Sequence, residues 1–120
     1  MEKVVHVTVY LCATVLNHNG FDAFQAGIYR FISNTPTGLA VIEIQFATIT
    51  LQSLVKLGAL GWCEMAHRAL TLRSLREVKI VFFLGHRPKD TEWITSIDHC
   101  KHIIGRNFLD THVKVVFEIR

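Results

Sequence analysis

The residue types that could carry chemistry form two small groups, and the first of them is rich in histidine. His99, Cys100 and His102 lie within four positions. Histidines three residues apart share one face of a helix, so this pair could hold a soft metal ion. No second pair of ligands follows at the spacing of a zinc site. Two solvated histidines beside a buried cysteine are therefore the more common explanation, and we predict no bound metal and no cofactor.

The second group is Cys63 and His67, which are one helical turn apart. A histidine at this spacing could take the proton of the thiol and create a nucleophile. However, Cys63 lies between Trp62 and Met65, beside the apolar stripe of a predicted helix, and this position favours a buried, inert thiol. Three cysteines without a CxxC pair are typical of a reduced, intracellular protein, either cytoplasmic or nuclear.

One stretch of the chain has a strong excess of positive charge. It spans 22 residues and contains a single acidic residue, Glu77, against six basic ones: Arg68, Arg73, Arg76, Lys79, Arg87 and Lys89. Such residues can neutralise phosphates and give weak, salt-sensitive binding of nucleic acid. Because they fall in two separate parts of the predicted fold, a solvated basic surface is the simpler explanation.

The composition indicates a single folded domain over residues 1–120. Half of the residues are hydrophobic and 19% are charged, which provides a real core and excludes a disordered chain. No apolar run reaches the length of a membrane span, so we expect no membrane association. No internal repeat or linker is visible. Arg120 directly follows a predicted strand, as it would in a fragment of a longer protein.

The first third of the chain has the composition of β-strands. We predict strands over Val4–Leu16, Phe21–Ser33 and Leu39–Phe46, because these runs are rich in β-branched and aromatic residues. Turns at Asn17–Gly20 and Asn34–Gly38 would join them, since Asn-Gly favours tight hairpins. The three strands would then form an antiparallel meander.

The remainder alternates between helical and extended patterns. Apolar spacing predicts a helix over Thr50–Leu70, and an almost wholly apolar run at Val78–Leu84 predicts a central strand. A second helix over Thr91–Ile104 and a last strand over His112–Ile119 complete the order βββαβαβ. The predicted fold is an α/β mixed sheet with helices packed on it.

This order resembles that of the ribonuclease H-like fold, including retroelement ribonuclease H domains. The segment Ala26-Gly27-Ile28-Tyr29 is similar to the Ala-Gly-Ile/Val pattern of that family's second strand. In active members, acidic residues hold two magnesium ions, and the corresponding positions here are Cys12, Gln52 and Leu84. A thiol, an amide and a leucine cannot hold magnesium. The resemblance therefore implies a degenerate domain with no catalytic residues.

The resemblance implies a non-catalytic interaction or assembly module, with weak nucleic-acid binding as an additional property. Its partner would be another protein, a second copy of itself or a nucleic acid. The alternative is a small oligomeric enzyme with a ferredoxin-like α+β sandwich and an active site at subunit interfaces. That architecture needs Phe21–Ser33 to be a helix, and Phe24, Ile28 and Phe31 do fit a helical period.

Overall fold

A computed structural model describes residues 5–33, 39–71, 73–84 and 89–120. The four strands form one sheet in the order β1-β2-β3-β4, and every neighbouring pair is parallel. The elements along the chain are β1 Val5–Cys12, α1 His18–Ser33, β2 Leu39–Ala47, α2 Leu51–Gly58, α3 Trp62–Ala69, β3 Glu77–Phe82, α4 Thr91–Arg106 and β4 Lys114–Ile119.

The protein is α/β as predicted, but the predicted order βββαβαβ and the antiparallel meander are wrong. The segment Phe21–Ser33 belongs to the helix α1. The side chain of Asn17 accepts a hydrogen bond from the Gly20 amide at 2.7 Å, and its carbonyl accepts one from Phe21 at 3.0 Å. Asn17 therefore starts a helix instead of a hairpin, as asparagine often does. The predicted turn at Asn34–Gly38 lies outside the described residues.

The ferredoxin-like alternative is correct about this helix and wrong about the sheet. A ferredoxin-like sandwich contains antiparallel strands, whereas β1, β2, β3 and β4 are all parallel. Parallel neighbours need a crossover connection, and here each connection contains one or two helices. The observed order is βαβααβαβ.

The predicted helix over Thr50–Leu70 is two helices. Thr50 begins α2 with a capping box: its hydroxyl accepts from the Ser53 amide at 3.1 Å, and the Ser53 hydroxyl accepts from the Thr50 amide at 2.7 Å. After Gly58 the chain turns and α3 begins at Trp62. The Trp62 indole N–H donates to the Leu57 carbonyl at 2.6 Å, which holds the two helices together.

The core lies between the helices and one face of the sheet. Alternate residues of β2 and β3 point into it and are fully buried, and residues of all four helices pack against them. A row of aromatic rings (Phe21, Trp62, Phe46, Phe82 and Phe117) crosses this layer with successive centroids 4.8–6.4 Å apart. All four helices therefore cover the same face, and no described helix covers the other.

The strands recur at a regular distance along the chain. They begin at Val5, Leu39, Glu77 and Lys114, which are 34, 38 and 37 residues apart. Each strand contains a segment in which apolar residues alternate with residues of varied type. The sheet register aligns these four segments, which are Val7–Leu11, Ile42–Phe46, Val78–Phe82 and Val115–Ile119. The structure thus contains a repeated strand–helix unit, contrary to the prediction of no repeat.

Candidate functional site: the open face of the sheet

The face of the sheet opposite the helices is called here the open face. Strand register and side-chain alternation arrange its residues in four rows running from β1 to β4. The rows, from the amino to the carboxyl end of the strands, are His6, Val41, Glu77 and Lys114; Thr8, Glu43, Lys79 and Val116; Tyr10, Gln45, Val81 and Glu118; and Cys12, Ala47, Phe83 and Arg120.

Glu43 is the most enclosed charged residue of the open face, with only 6% of its surface exposed. It accepts a hydrogen bond from the Gln45 amide at 2.5 Å, and its carboxylate lies 3.4 Å from His6 Nε2 and 3.8 Å from Lys79 Nζ. The Gln45 hydrogen bond is the main cause of a lowered pKa for Glu43, and the charges of Lys79, Arg120 and His6 add to it. The carboxylate is therefore ionised at neutral pH.

The charged network continues across β3 to β4. Lys79 Nζ lies 3.4 Å from Glu118 Oε2, and Arg120 Nε lies 2.7 Å from the same oxygen. Positive and negative groups thus alternate across the open face and hold one another in place. This arrangement is suited to recognising a polar surface, because its charged groups are already positioned before a partner arrives.

Cys12 lies at the carboxyl end of β1, exposed to solvent. Its Sγ is 3.2 Å from the Thr14 hydroxyl. Hydrogen bonds from Thr14, and secondly from Thr48, lower the thiol pKa to about 7. Thr48 has a φ of 59°, a left-handed conformation that is unusual for a β-branched residue. A thiol with this pKa is about half ionised at neutral pH, and its thiolate form is nucleophilic.

The positions matched to the missing carboxylates lie at the carboxyl end of the sheet. Cys12 ends β1, Gln52 is exposed in the first turn of α2, and Leu84 follows β3 with its amide donating to the Arg120 carbonyl at 2.7 Å. Among the described residues, no group of three or more histidine, cysteine or acidic side chains could hold a metal ion. What the sequence did not indicate is the chemistry of Cys12 itself.

The predicted basic residues occupy separate parts of the molecule. Arg68 pairs with Glu64 on α3 at 3.0 Å, and Lys79 belongs to the open-face network. Arg73 and Arg76 are exposed before β3, whereas the exposed Lys89 follows it. The length of β3 separates those two ends by about 17 Å. The described members therefore do not form one patch, and Arg87 lies outside the described residues.

The cysteines and histidines of the helices differ in burial. His99 and His102 are exposed on α4, while Cys100 is buried and its pKa is raised to about 12 by burial. The prediction of a buried Cys63 is wrong: the thiol is exposed, as is His67. The break before α3 changes which residues face the core, so that Trp62 is buried and its neighbour Cys63 faces solvent.

No family model, no curated protein and no solved structure matches the chain. Within the described part of the chain, none of the helices has the length and apolar character needed to cross a membrane.

Proposed function

We propose that the protein is a non-catalytic interaction module that binds another protein through the open face. The observation that supports this proposal is that the described helices all pack on one face of a parallel sheet and none of them packs on the other. Parallel sheets are almost always covered on both faces. Stacked strand–helix units that leave one face uncovered commonly use it for binding.

The charge of the open face favours a protein partner over a nucleic acid. It carries three acidic residues, Glu43, Glu77 and Glu118, and three basic ones, Lys79, Lys114 and Arg120, together with His6. A phosphate backbone would be attracted by a surplus of positive charge, which this face lacks. A protein surface with its own mixed charges would complement it.

Two aromatic residues give the open face its anchoring groups. Tyr10 is 73% exposed and Phe83 is 49% exposed, and both lie towards the carboxyl end of the strands. Exposed aromatic side chains that become buried on association contribute much of the binding energy in protein interfaces. We therefore place the centre of the interface beside Tyr10 and Phe83, next to Cys12.

The size of the open face limits the affinity. Four strands about 4.8 Å apart and six residues long cover a flat area of about 300 Å², well under the roughly 800 Å² per partner of a standard interface. We therefore expect a transient complex, unless the partner also contacts the loops at the carboxyl end. A transient interface agrees with the polar character of the surface.

Site-specific photocrosslinking would test the proposal. A photoreactive phenylalanine analogue replaces Tyr10 in one variant and Val55 in another; Val55 lies on α2 and is also 73% exposed. In extracts of the source cells, we expect a protein adduct from position 10 and none from position 55. Equal crosslinking at both positions, or none at position 10, would overturn the proposal.

The non-catalytic part of the proposal has its own test. It depends on the ribonuclease H-like resemblance, in which the positions of the metal-binding carboxylates are occupied here by Cys12, Gln52 and Leu84. We expect no cleavage of an RNA–DNA hybrid in magnesium or manganese at high protein concentration. Cleavage that follows the protein through every step of purification would show the non-catalytic assignment to be wrong.

A further inference from the structure

The hydrophobic core is partly exposed to solvent along the β4 edge of the sheet. Among the described strands β4 is hydrogen-bonded only to β3. The core-facing residues of β3 are fully buried, whereas Val115 and Phe117 of β4 are only partly covered and Ile119 is 41% exposed. A strand with one unpaired edge and a partly exposed apolar side can receive another strand.

A groove of about 480 Å³ lies beside this edge, between β4 and the second half of α4. Its floor is apolar and is formed by Phe108, Val113, Val115 and Phe117. The Phe117 ring stacks in parallel with the Phe82 ring, so the groove opens directly onto the aromatic row of the core. Alternate apolar side chains of an added strand would fit into such a groove.

The rim of the groove is basic. Lys101, His102 and Arg106 line it, and no acidic side chain is among its described lining residues. Lys101 Nζ lies 5.7 Å from the centroid of the Phe117 ring, so one positive charge is held directly above the apolar floor. An approaching segment would therefore be favoured if it combined apolar residues with carboxylates.

We propose that this edge and groove bind an extended segment of another protein whose groove-facing residues, every second one, are apolar in the middle and acidic at both ends. The segment would pair with the backbone of β4, place its apolar side chains in the groove and direct carboxylates towards Lys101 and Arg106. A second copy of this chain is a poorer match, because its edge strand β1 contains no acidic residue and its other edge strand, β4, offsets its single acidic residue, Glu118, with Lys114. This surface is separate from the open face.

Peptide titration would test the proposal, with an acetylated and amidated eight-residue peptide as the probe. Every second residue faces the groove, in the order glutamate, valine, valine and glutamate, and the other four residues are threonine. We expect shifts of the β4 amide resonances and about tenfold weaker binding by the matching peptide with lysine in place of glutamate, because its charges oppose the rim. A proline in the middle of the acidic peptide should abolish binding, since it removes a ladder hydrogen bond and disrupts the strand.

Charge-reversal variants separate the groove from the remaining surface. Lys101→Glu with Arg106→Glu should weaken binding of the acidic peptide about tenfold or more, while Arg73→Glu with Arg76→Glu, an equal change of net charge elsewhere, should leave it unchanged. Both pairs should leave crosslinking from position 10 intact, which distinguishes this proposal from the open-face interaction.

Several results would overturn the proposal. They are equal binding of the acidic and basic peptides, shifts confined to β1 or the open face, and no binding at millimolar peptide. Sedimentation of the free protein provides one further contradicting result. A dimer whose formation buries β4 would identify a second copy as the occupant and would contradict an acidic partner.

Discussion

The two faces of the sheet are built from the same strands but are stabilised by different interactions. On β2, Ile42 and Ile44 point into the helical layer, while Glu43 and Gln45 point to the open face; all four are buried. The isoleucines are stabilised by removing apolar surface from water, which requires no particular partner. Glu43 is stabilised by its directional contacts with Gln45, Lys79 and His6. One face provides most of the stability, and the other provides a defined pattern of charge.

The largest expected effect comes from breaking the helix-covered side. Leu54 is fully buried in α2, whereas its near neighbour Lys56 is exposed. Leu54→Ala should lower the free energy of unfolding by about 2–5 kcal/mol, because it leaves a cavity. Lys56→Ala should change it by less than about 0.5 kcal/mol. Denaturant melts of both variants measure the difference, and equal small losses would show that this helical layer has been misassigned.

An intermediate effect is expected from neutralising the centre of the open face. Glu43→Gln keeps the shape of the side chain but removes its charge, and should cost about 1–2 kcal/mol at neutral pH. The matched control is Glu64→Gln, which breaks the exposed pair with Arg68 and should cost less than about 0.5 kcal/mol. If the two losses are equal in urea melts at pH 7, the Glu43 network is no stronger than a surface pair.

The pH dependence of the Glu43 effect has a definite sign. Because the folded-state pKa of Glu43 lies below the ordinary value of 4.5, its ionisation stabilises the folded protein above that value. This stabilisation is lost as the pH falls through the folded-state pKa. The difference between wild type and Glu43→Gln should therefore be constant near pH 7 and decrease below pH 4.5. A difference that increases on acidification would contradict the lowered pKa.

The reactivity of two thiols compares the open face with the core, because Cys12 is exposed at the carboxyl end of the open face and Cys100 is buried. In a Cys63→Ser background, the rate of alkylation of Cys12 should rise with pH and reach half its maximum near pH 7, while Cys100, with a pKa of about 12, remains unmodified. Thr14→Ala should move the Cys12 midpoint towards 9.0 because the main hydrogen bond is lost. A midpoint near 9 in the unaltered Thr14 protein would contradict the described geometry.

The smallest effect is expected outside both faces. Since the described basic residues are dispersed, nucleic acid should bind weakly, without sequence preference, and less as salt increases. Arg73→Ala with Arg76→Ala should weaken this binding to a similar degree for all sequences. Fluorescence anisotropy with labelled duplexes at several salt concentrations would measure it. Affinity that is insensitive to both salt and these substitutions would exclude phosphate binding in this region.

Local patterns predicted those elements that have a single period. The apolar run at Val78–Phe82 is an interior strand, and the helical spacing after Asp90 corresponds to α4. The segment from Asn17 to Ser33 has two compatible patterns, because Asn-Gly can begin a hairpin and asparagine can also begin a helix. Burial of Phe21 against Trp62, with ring centroids 4.8 Å apart, favours the helix. Because these two residues are far apart in the sequence, local patterns do not reveal their contact.

The candidate site was less accessible to prediction than the fold. The predicted strand Val4–Leu16 contains Cys12 but does not end there. The low pKa of Cys12 depends partly on Thr48, which only the pairing of β1 with β2 brings near. The charge network likewise needs the register of all four strands. The repeat was obscured because the connections contain different numbers of helices and the residues between the apolar positions vary.

The near-constant distance between strands also has a consequence for folding. Each strand pairs with a neighbour 34–38 residues away, so each pairing closes a loop with a length-dependent entropic cost of about 3 kcal/mol. The interior strands β2 and β3 offset this cost by pairing with a neighbour on each side, whereas β1 and β4 each pair with one neighbour only. Local opening should therefore begin at the outer strands. The thiol of Cys12 and the groove beside β4 lie on the two strands whose amide hydrogens should exchange first.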